Sequence, residues 1–207
     1  MRITQLEPFL RGLLFTDGTV SRALEAHTLR HVVVEALEQG PCAMPAAIAA
    51  QLDAVPAEEC LRRRIVMRLA GSRPVAWAES HVVPARLPRE FLARLGEDPQ
   101  GIGGSLQQLK LESRRELLWF GLGRRPSWAR PGTPLADTLT RCYRVLSRTL
   151  PALLICESFS VELRSGVHRM PGCGDDAHED ESLTQRPLEA LVDDRPSPGA
   201  SGSPSAT

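Results

Sequence analysis

Residues 61–84 read LRRRIVMRLAGSRPVAWAESHVVP and carry the clearest strand pattern of the chain. Runs rich in apolar and β-branched residues lie on either side of a turn at Gly71 to Pro74, which predicts two strands, 61–69 and 75–83. Because the connection between the strands is short, they pair antiparallel. The segment is therefore a β-hairpin and favours an antiparallel sheet.

A second pair of strands lies later in the chain. The runs RCYRVLS, about 141–147, and LLICESFSVEL, about 153–163, have the same strand character, with a turn near Pro151 between them. Two hairpins of this kind, separated by more than fifty residues that include helical patterns, are typical of an α+β domain built on an antiparallel sheet.

Helices occupy the longer connections. We expect a helix capped by Thr19 after the turn at 17–18, a short helix or loop within the Ala- and Pro-rich segment 40–58, and a short helix over 88–96. The sequence QGIGGSL, 100–106, predicts a Gly-rich turn. No element is assigned to the mixed segment that follows it.

The end of the chain differs in composition. Residues 165–207 are rich in Gly, Ser, Pro and acidic residues, and they carry too few large apolar side chains to offset the entropy of ordering. We expect a disordered tail after a single domain of residues 1–164. His168, Cys173 and His178 lie in this tail, but their spacing matches no zinc pattern, so we expect no metal site.

The charge of the domain favours a small anionic ligand. The tail holds 8 of the 25 acidic residues and 3 of the 25 basic ones, which leaves 22 basic against 17 acidic residues in 1–164. This excess is modest for a nucleic-acid binder, and no long basic run is present. The sequence has no apolar run of membrane length and no secretory signal, so a cytoplasmic protein is expected. Its five scattered cysteines are expected to be reduced.

Two charged residues stand on apolar strand faces. In strand 61–69 every second residue shares a face, so Arg63 lies among Leu61, Ile65, Met67 and Leu69. In the last strand Glu157 is the single charge on the face formed by the apolar residues at 153, 155, 159, 161 and 163. A buried charge needs a partner. Either Arg63 and Glu157 form a structural ion pair, or they flank a cavity and bind a polar ligand.

A third set of polar residues lies in the neighbouring strand. Arg141 and Tyr143 share a face with Val145, and either could contact the ligand-binding residues without contacting the ligand itself. Glu79 and His81 share a face with Trp77, and the pattern leaves open whether that face is turned towards the cavity or away from it.

In the order and spacing of its short motifs, the sequence resembles the bacterial chorismate lyases. The resemblance spans about residues 8–163 and rests on five segments in the family's order, FLRGLLFTDGTVSRALEAH, LRRRIVMRLAG, AESHVVPARLP, GIGGSL and RCYRVLSRTLPALLICESF. It implies a six-stranded antiparallel sheet with helices in the connections. Effector-binding domains of certain transcription regulators share this fold but follow a DNA-binding domain, for which the short segment before residue 8 leaves too little room.

The resemblance also implies site residues. Arg63 matches the arginine that binds the ring carboxylate, with Arg64 as the alternative in an ungapped alignment. Glu157 matches the glutamate that contacts the ring hydroxyl.

Two further contacts implied by the family come from the main chain. Ile102, before Gly103, would donate its N–H to the carboxylate. The backbone of Val20, or of Thr19 in an alternative alignment, would face the hydroxyl.

The reaction implied is loss of the enolpyruvyl group from chorismate, giving pyruvate and 4-hydroxybenzoate without a metal or an organic cofactor. We expect a monomer whose partner is this small anion, with no nucleic-acid or membrane partner. Two alternatives stay open, a non-catalytic module that binds aromatic acids and a lyase that gives a different hydroxybenzoate isomer. The turn at Gly103 to Ser105 departs from the family, where a larger residue often follows the glycine.

Overall fold

Six strands form one antiparallel sheet in the order β1-β2-β3-β6-β5-β4. The computed structural model describes residues 4, 6–55, 57–70, 74–97, 101–129, 137–161 and 163 of the 207-residue chain. The strands are β1 (Val32–Cys42), β2 (Cys60–Leu69), β3 (Pro74–Val82), β4 (Ser113–Arg124), β5 (Asp137–Ser147) and β6 (Leu150–Ser160). The helices are α1 (Pro8–Phe15), α2 (Val20–Thr28), α3 (Ala46–Leu52), α4 (Arg89–Glu97) and α5 (Gly101–Gln108), with a 3-10 turn at Pro84–Arg86.

The sheet consists of two three-stranded meanders, β1-β2-β3 and β4-β5-β6, which join along β3 and β6. A pair of helices precedes each meander, α1 and α2 before β1, and α4 and α5 before β4. Arg63 of β2 lies opposite Ser80 of β3, and Arg141 of β5 lies opposite Glu157 of β6.

Four of the helices cover one face of the sheet. Buried leucines of α1 and α2 pack on the middle of β2, and Phe91 and Leu95 of α4 pack with Ile102 of α5 against β5 and β6. The opposite face is partly covered by α3, whose Leu52 contacts Leu154 and its neighbours. Burying the apolar side of every helix against the sheet supplies the core.

The structure confirms the predicted antiparallel α+β fold and both strands of the first hairpin. The predicted start of the last strand is wrong by three residues, since β6 begins at Leu150 rather than at about 153. A two-residue loop, Arg148–Thr149, makes the turn, and Arg148 adopts a left-handed conformation with φ 58°. Pro151 lies inside β6 at a register irregularity, one of the few strand positions where a missing N–H is tolerated.

Two edge strands were not recognised from the sequence. The first, β1, is half exposed along most of its length, and β4 carries the exposed apolar residues Leu117, Trp119 and Phe120. Edge strands with one uncovered face lack the apolar alternation that identifies a buried strand.

The predicted Gly-rich turn at 100–106 is wrong, because Gly101–Gln108 forms helix α5. Ile102 and Leu106 are four residues apart and share the buried side of the helix. A close contact between two helices explains why position 103 is a glycine. A Cβ atom on Gly103 would lie 2.8 Å from the Thr19 Cγ2 atom. Glycine at 103 thus lets the beginnings of α5 and α2 meet.

The expectation of reduced cysteines is wrong for one pair. Cys142 and Cys156 are cross-strand partners in β5 and β6, and they form a disulfide. Their separation in the sequence hides this proximity, because only the register of two strands brings them together. Cys42 and Cys60 are free, and Cys173 lies outside the described residues. So do the predicted tail, 165–207, and the two histidines considered with it.

Candidate functional site

A small cavity, partly open to solvent, lies between the sheet and the beginnings of α2 and α5. All five residues predicted as ligand contacts line it, and the structure therefore brings Val20, Arg63, Ile102, Gly103 and Glu157 together. The other lining residues are Gly18, Thr19, Ser21, Ile65, Met67, Ala78, Ser80, Gly101, Arg115, Tyr143 and Ile155.

Arg63 reaches the cavity from the middle of β2 and is only 4% exposed. Its Nε donates a 2.9 Å hydrogen bond to Gln39 Oε1 of the adjacent strand. Arg64, the alternative candidate, points to the opposite face of the sheet, where it pairs with Glu38 and Glu79. The alternation of a strand thus separates the two arginines, and only Arg63 lines the cavity.

Glu157 is 6% exposed and lies two strands away from Arg63. Its Oε2 accepts a 2.8 Å bond from Arg141 Nε, and its Oε1 accepts a 3.2 Å bond from the Tyr143 hydroxyl. Arg63 and Glu157, both within the described part of the chain, are not paired with each other. Of the two alternatives given by the sequence, the direct ion pair is therefore wrong.

Arg141 is the ion-pair partner that the sequence suggested only as a supporting residue. It is 2% exposed, and its Nη1 donates to the carbonyl oxygens of Leu14 and Thr16, at 3.2 and 3.0 Å. Its Nη2 is buried and has no hydrogen-bond partner among the described residues. Arg141 thus ties the end of α1 to Glu157 and holds the carboxylate in a fixed position.

Tyr143 completes the polar surroundings of Glu157. Burial, together with the adjacent Glu157 carboxylate, raises the pKa of Tyr143 above its ordinary value. The hydroxyl therefore keeps its proton at neutral pH and acts as a donor to Glu157.

The beginnings of two helices meet at the cavity. Val20 is the first residue of α2, and Ile102 is the second residue of α5. The N–H groups of a first helical turn lack an intrahelical acceptor, and the helix dipole favours negative charge at this end. Main-chain donors and Arg63 together make the cavity suited to an anion.

Arg115 also lines the cavity, although the sequence pattern does not single it out. It reaches in from β4, and its Nη1 donates to the carbonyl oxygens of Asp17 and Gly18, the latter at 2.8 Å. Its guanidinium carbon lies 5.6 Å from the centre of the Tyr143 ring. The missing signal was the strand itself, since without β4 no face could be assigned to position 115.

The remaining cavity wall includes the apolar residues Ile65, Met67, Ala78 and Ile155. Apolar side chains lower the local dielectric and strengthen the polar contacts beside them. Glu79 and His81, which the sequence left unplaced, lie on the other face of the sheet with Trp77.

The described residues contain no group of three or more His, Cys, Asp or Glu side chains arranged to hold a metal ion. Among the helices that the structure describes, none is long and apolar enough to cross a membrane.

Comparison with known proteins gives a family and a fold. The family model described as "Chorismate pyruvate-lyase Rv2949c-like" matches residues 14–166. No curated protein matches the chain significantly.

Several solved structures are similar in fold. A possible transcriptional regulator, YydK from Bacillus subtilis, is 16% identical with a TM-score of 0.51, covering 67% of this chain and 61% of that one. The gene product SA0254 of Staphylococcus aureus is 10% identical with a TM-score of 0.52, covering 70% and 89%. A GntR-family transcriptional regulator from Bacillus cereus is 12% identical with a TM-score of 0.51, covering 62% and 91%. At such low identity these likenesses support the fold alone.

Proposed function

We infer the function of this chain from its family, because it belongs to the Rv2949c-like chorismate pyruvate-lyases. We propose that it removes the enolpyruvyl group of chorismate as pyruvate and releases 4-hydroxybenzoate. The observation that carries the proposal is the cavity itself, which brings together a buried arginine, a buried glutamate and several apolar side chains.

Arg63 binds the ring carboxylate in this proposal. A guanidinium and a carboxylate match as a bidentate pair, and such charge-assisted bonds are stronger in a cavity that excludes water. The N–H groups at the beginning of α5, including that of Ile102, supply further donors to the same carboxylate.

Glu157 accepts a hydrogen bond from the ring hydroxyl. A carboxylate has about four lone-pair sites, and Arg141 and Tyr143 occupy two of them. An acceptor position is therefore left for a substrate, and the two protein contacts fix its direction. The backbone beside Val20 flanks the same end of the ring.

The reaction balances without an oxidant or a reductant. The bond between the ring carbon and the enolpyruvyl oxygen breaks, and the neighbouring ring carbon, which bears the hydroxyl, loses its hydrogen as a proton. The electron pair of that C–H bond completes the aromatic ring. The enolpyruvate gains a proton on its methylene carbon and becomes pyruvate. The role of the protein is to hold the reactive conformer between Arg63 and Glu157.

One pair of variants tests the assignment of the site. Purified protein is mixed with chorismate, and pyruvate release is measured for the wild type, Arg63→Gln and Arg62→Gln. The two variants remove the same charge from adjacent positions, but Arg62 points to the other face and pairs with Glu38. We expect Arg63→Gln alone to lose activity. Equal activity of the two variants would refute the role of Arg63.

A second candidate is a non-catalytic module that binds aromatic acids. The observation that favours it is that both oxygens of Glu157 are already held by the protein, which restricts any proton transfer through this carboxylate. Binding of 4-hydroxybenzoate without turnover of chorismate would identify this function. Chromatography of the product identifies a third case, a lyase that forms another hydroxybenzoate isomer.

We further propose that the enzyme is a monomer, that it acts in the cytoplasm and that it uses no cofactor.

A further inference from the structure

Arg115 is a charged residue of the cavity wall that the assigned contacts leave unused. Its two hydrogen bonds go to the neutral carbonyl oxygens of Asp17 and Gly18. Within the described part of the chain, no carboxylate lies within ion-pair distance of its guanidinium. A cation in the wall of a partly closed cavity attracts an anion from solution.

The position of Arg115 relates it to the Glu157 end of the cavity. Its guanidinium lies over the Tyr143 ring, and the hydroxyl of that ring donates to Glu157. Arg63 is on β2, four strands from β4 in the order of the sheet, which corresponds to about 19 Å between strand axes at the usual spacing. The two arginines therefore reach the cavity from strands on either side of β6, the strand that carries Glu157.

Chorismate itself carries two carboxylates. One is on the ring, and the other belongs to the enolpyruvyl group, which is attached next to the carbon that bears the hydroxyl. If the hydroxyl faces Glu157, the enolpyruvyl carboxylate lies on the side of Glu157 and away from Arg63. Resting on the function proposed above, we propose that Arg115 binds the carboxylate of the enolpyruvyl group.

Other arginines near the site are already engaged. Arg141 is committed to Glu157 and to two carbonyl oxygens, and it does not line the cavity. Arg114 is the neighbour of Arg115 in β4, but its side chain is 69% exposed and pairs with Glu116. Arg115 is thus the second cavity-lining arginine beside Arg63 among the described residues.

This contact makes the site selective for dicarboxylates. The substrate contacts both arginines, whereas the hydroxybenzoate product has lost the group that Arg115 binds. Arg115 also fixes the loop before α2 through its carbonyl contacts. Its role in binding must therefore be separated from a role in positioning that loop.

The experiment compares the wild type with Arg115→Gln, Arg115→Lys and Arg114→Gln. For each protein, KM and kcat for chorismate are measured, and the Kd of 4-hydroxybenzoate is measured by titration calorimetry. Arg114→Gln removes an equal charge one residue away and serves as the control for the general field. Thermal unfolding of each variant checks the fold.

We expect Arg115→Gln to raise KM for chorismate by roughly 10- to 100-fold, the usual effect of losing a charge-assisted hydrogen bond. The Kd of 4-hydroxybenzoate should change by less than about threefold, because the product lacks the second carboxylate. Arg115→Lys should recover part of the KM, and Arg114→Gln should behave like the wild type. A parallel loss of affinity for both ligands would overturn the inference, since a displaced loop affects both.

The results differ in a recognisable way if the proposed lyase function is wrong. If the wild type does not convert chorismate, the same comparison is made with the Kd of chorismate in place of KM. Selective weakening of chorismate by Arg115→Gln then supports the second carboxylate contact in a binding module. If Arg115→Gln leaves the ratio of the two affinities unchanged, or if the wild type binds neither ligand, the inference is wrong.

Discussion

Removing Arg141 should destabilise the protein far more than removing an arginine on the other side of the same strand. Arg141→Met deletes the ion pair to Glu157 and both hydrogen bonds to the carbonyl oxygens at the end of α1. It leaves Glu157 buried at 6% exposure with the Tyr143 hydroxyl as its remaining partner. Breaking a buried pair in this way costs about 3–5 kcal/mol.

A double variant distinguishes the cost of leaving Glu157 unpaired from the cost of the lost hydrogen bonds. In Arg141→Met combined with Glu157→Gln neither position of the pair is charged, so we expect the free energy of unfolding to fall by only about 1–2 kcal/mol, the cost of the lost hydrogen bonds. A smaller loss for two substitutions than for one is the signature of an uncompensated charge in the single variant.

The assay is urea unfolding followed by tryptophan fluorescence, with the slope of the transition compared between variants. Arg144→Met is the matched control, because Arg144 lies on the same strand but its ion pairs with Glu116 and Asp53 are partly exposed to solvent. Its loss should cost about 1 kcal/mol. If Arg141→Met and Arg144→Met cost the same, the reasoning about the buried pair is refuted.

Three further predictions follow from the cavity and the sheet. Gly103→Ala should weaken hydroxybenzoate binding and lower stability by about 1–3 kcal/mol, because the new methyl overlaps Thr19; unchanged affinity in calorimetry would contradict this. Tyr143→Phe should lower the free energy of unfolding by about 1.5–3 kcal/mol, the usual range for a hydrogen bond to a charged group, and a loss below 0.5 kcal/mol, taken as roughly the scatter of surface changes, would argue against the contact. Burial lowers the pKa of His81, so its contribution to stability is present above the unfolded-state pKa of about 6.5 and declines as the pH falls through that value towards the folded-state pKa. His81→Gln should flatten the pH dependence of unfolding in that range, and an unchanged slope would count against the assignment.

Sequence alone located the buried charges because they stand on strands with two clear faces. In β2 and β6 the neighbours of Arg63 and Glu157 at two-residue spacing are apolar, and the structure buries both residues. The pattern could not identify their partners. Strand register decides that Glu157 meets Arg141, and register is a property of pairing between distant segments.

Exposed elements and close helix contacts were harder to foresee. Arg115 escaped notice because β4 is an edge strand whose apolar side chains are partly exposed, which obscures its alternation. Helix α5 escaped notice because glycine usually signals a turn. At Gly103 the glycine instead serves contact with Thr19, a requirement that arises only when α2 and α5 meet.

Lyase activity is measured by analysing the products after the purified protein is mixed with chorismate. Chromatography and a coupled pyruvate assay measure both products at several times. We expect pyruvate and 4-hydroxybenzoate to appear in equal amounts and at a rate proportional to the protein concentration. Formation of neither product above the uncatalysed background, by protein that is folded and binds 4-hydroxybenzoate, would contradict it.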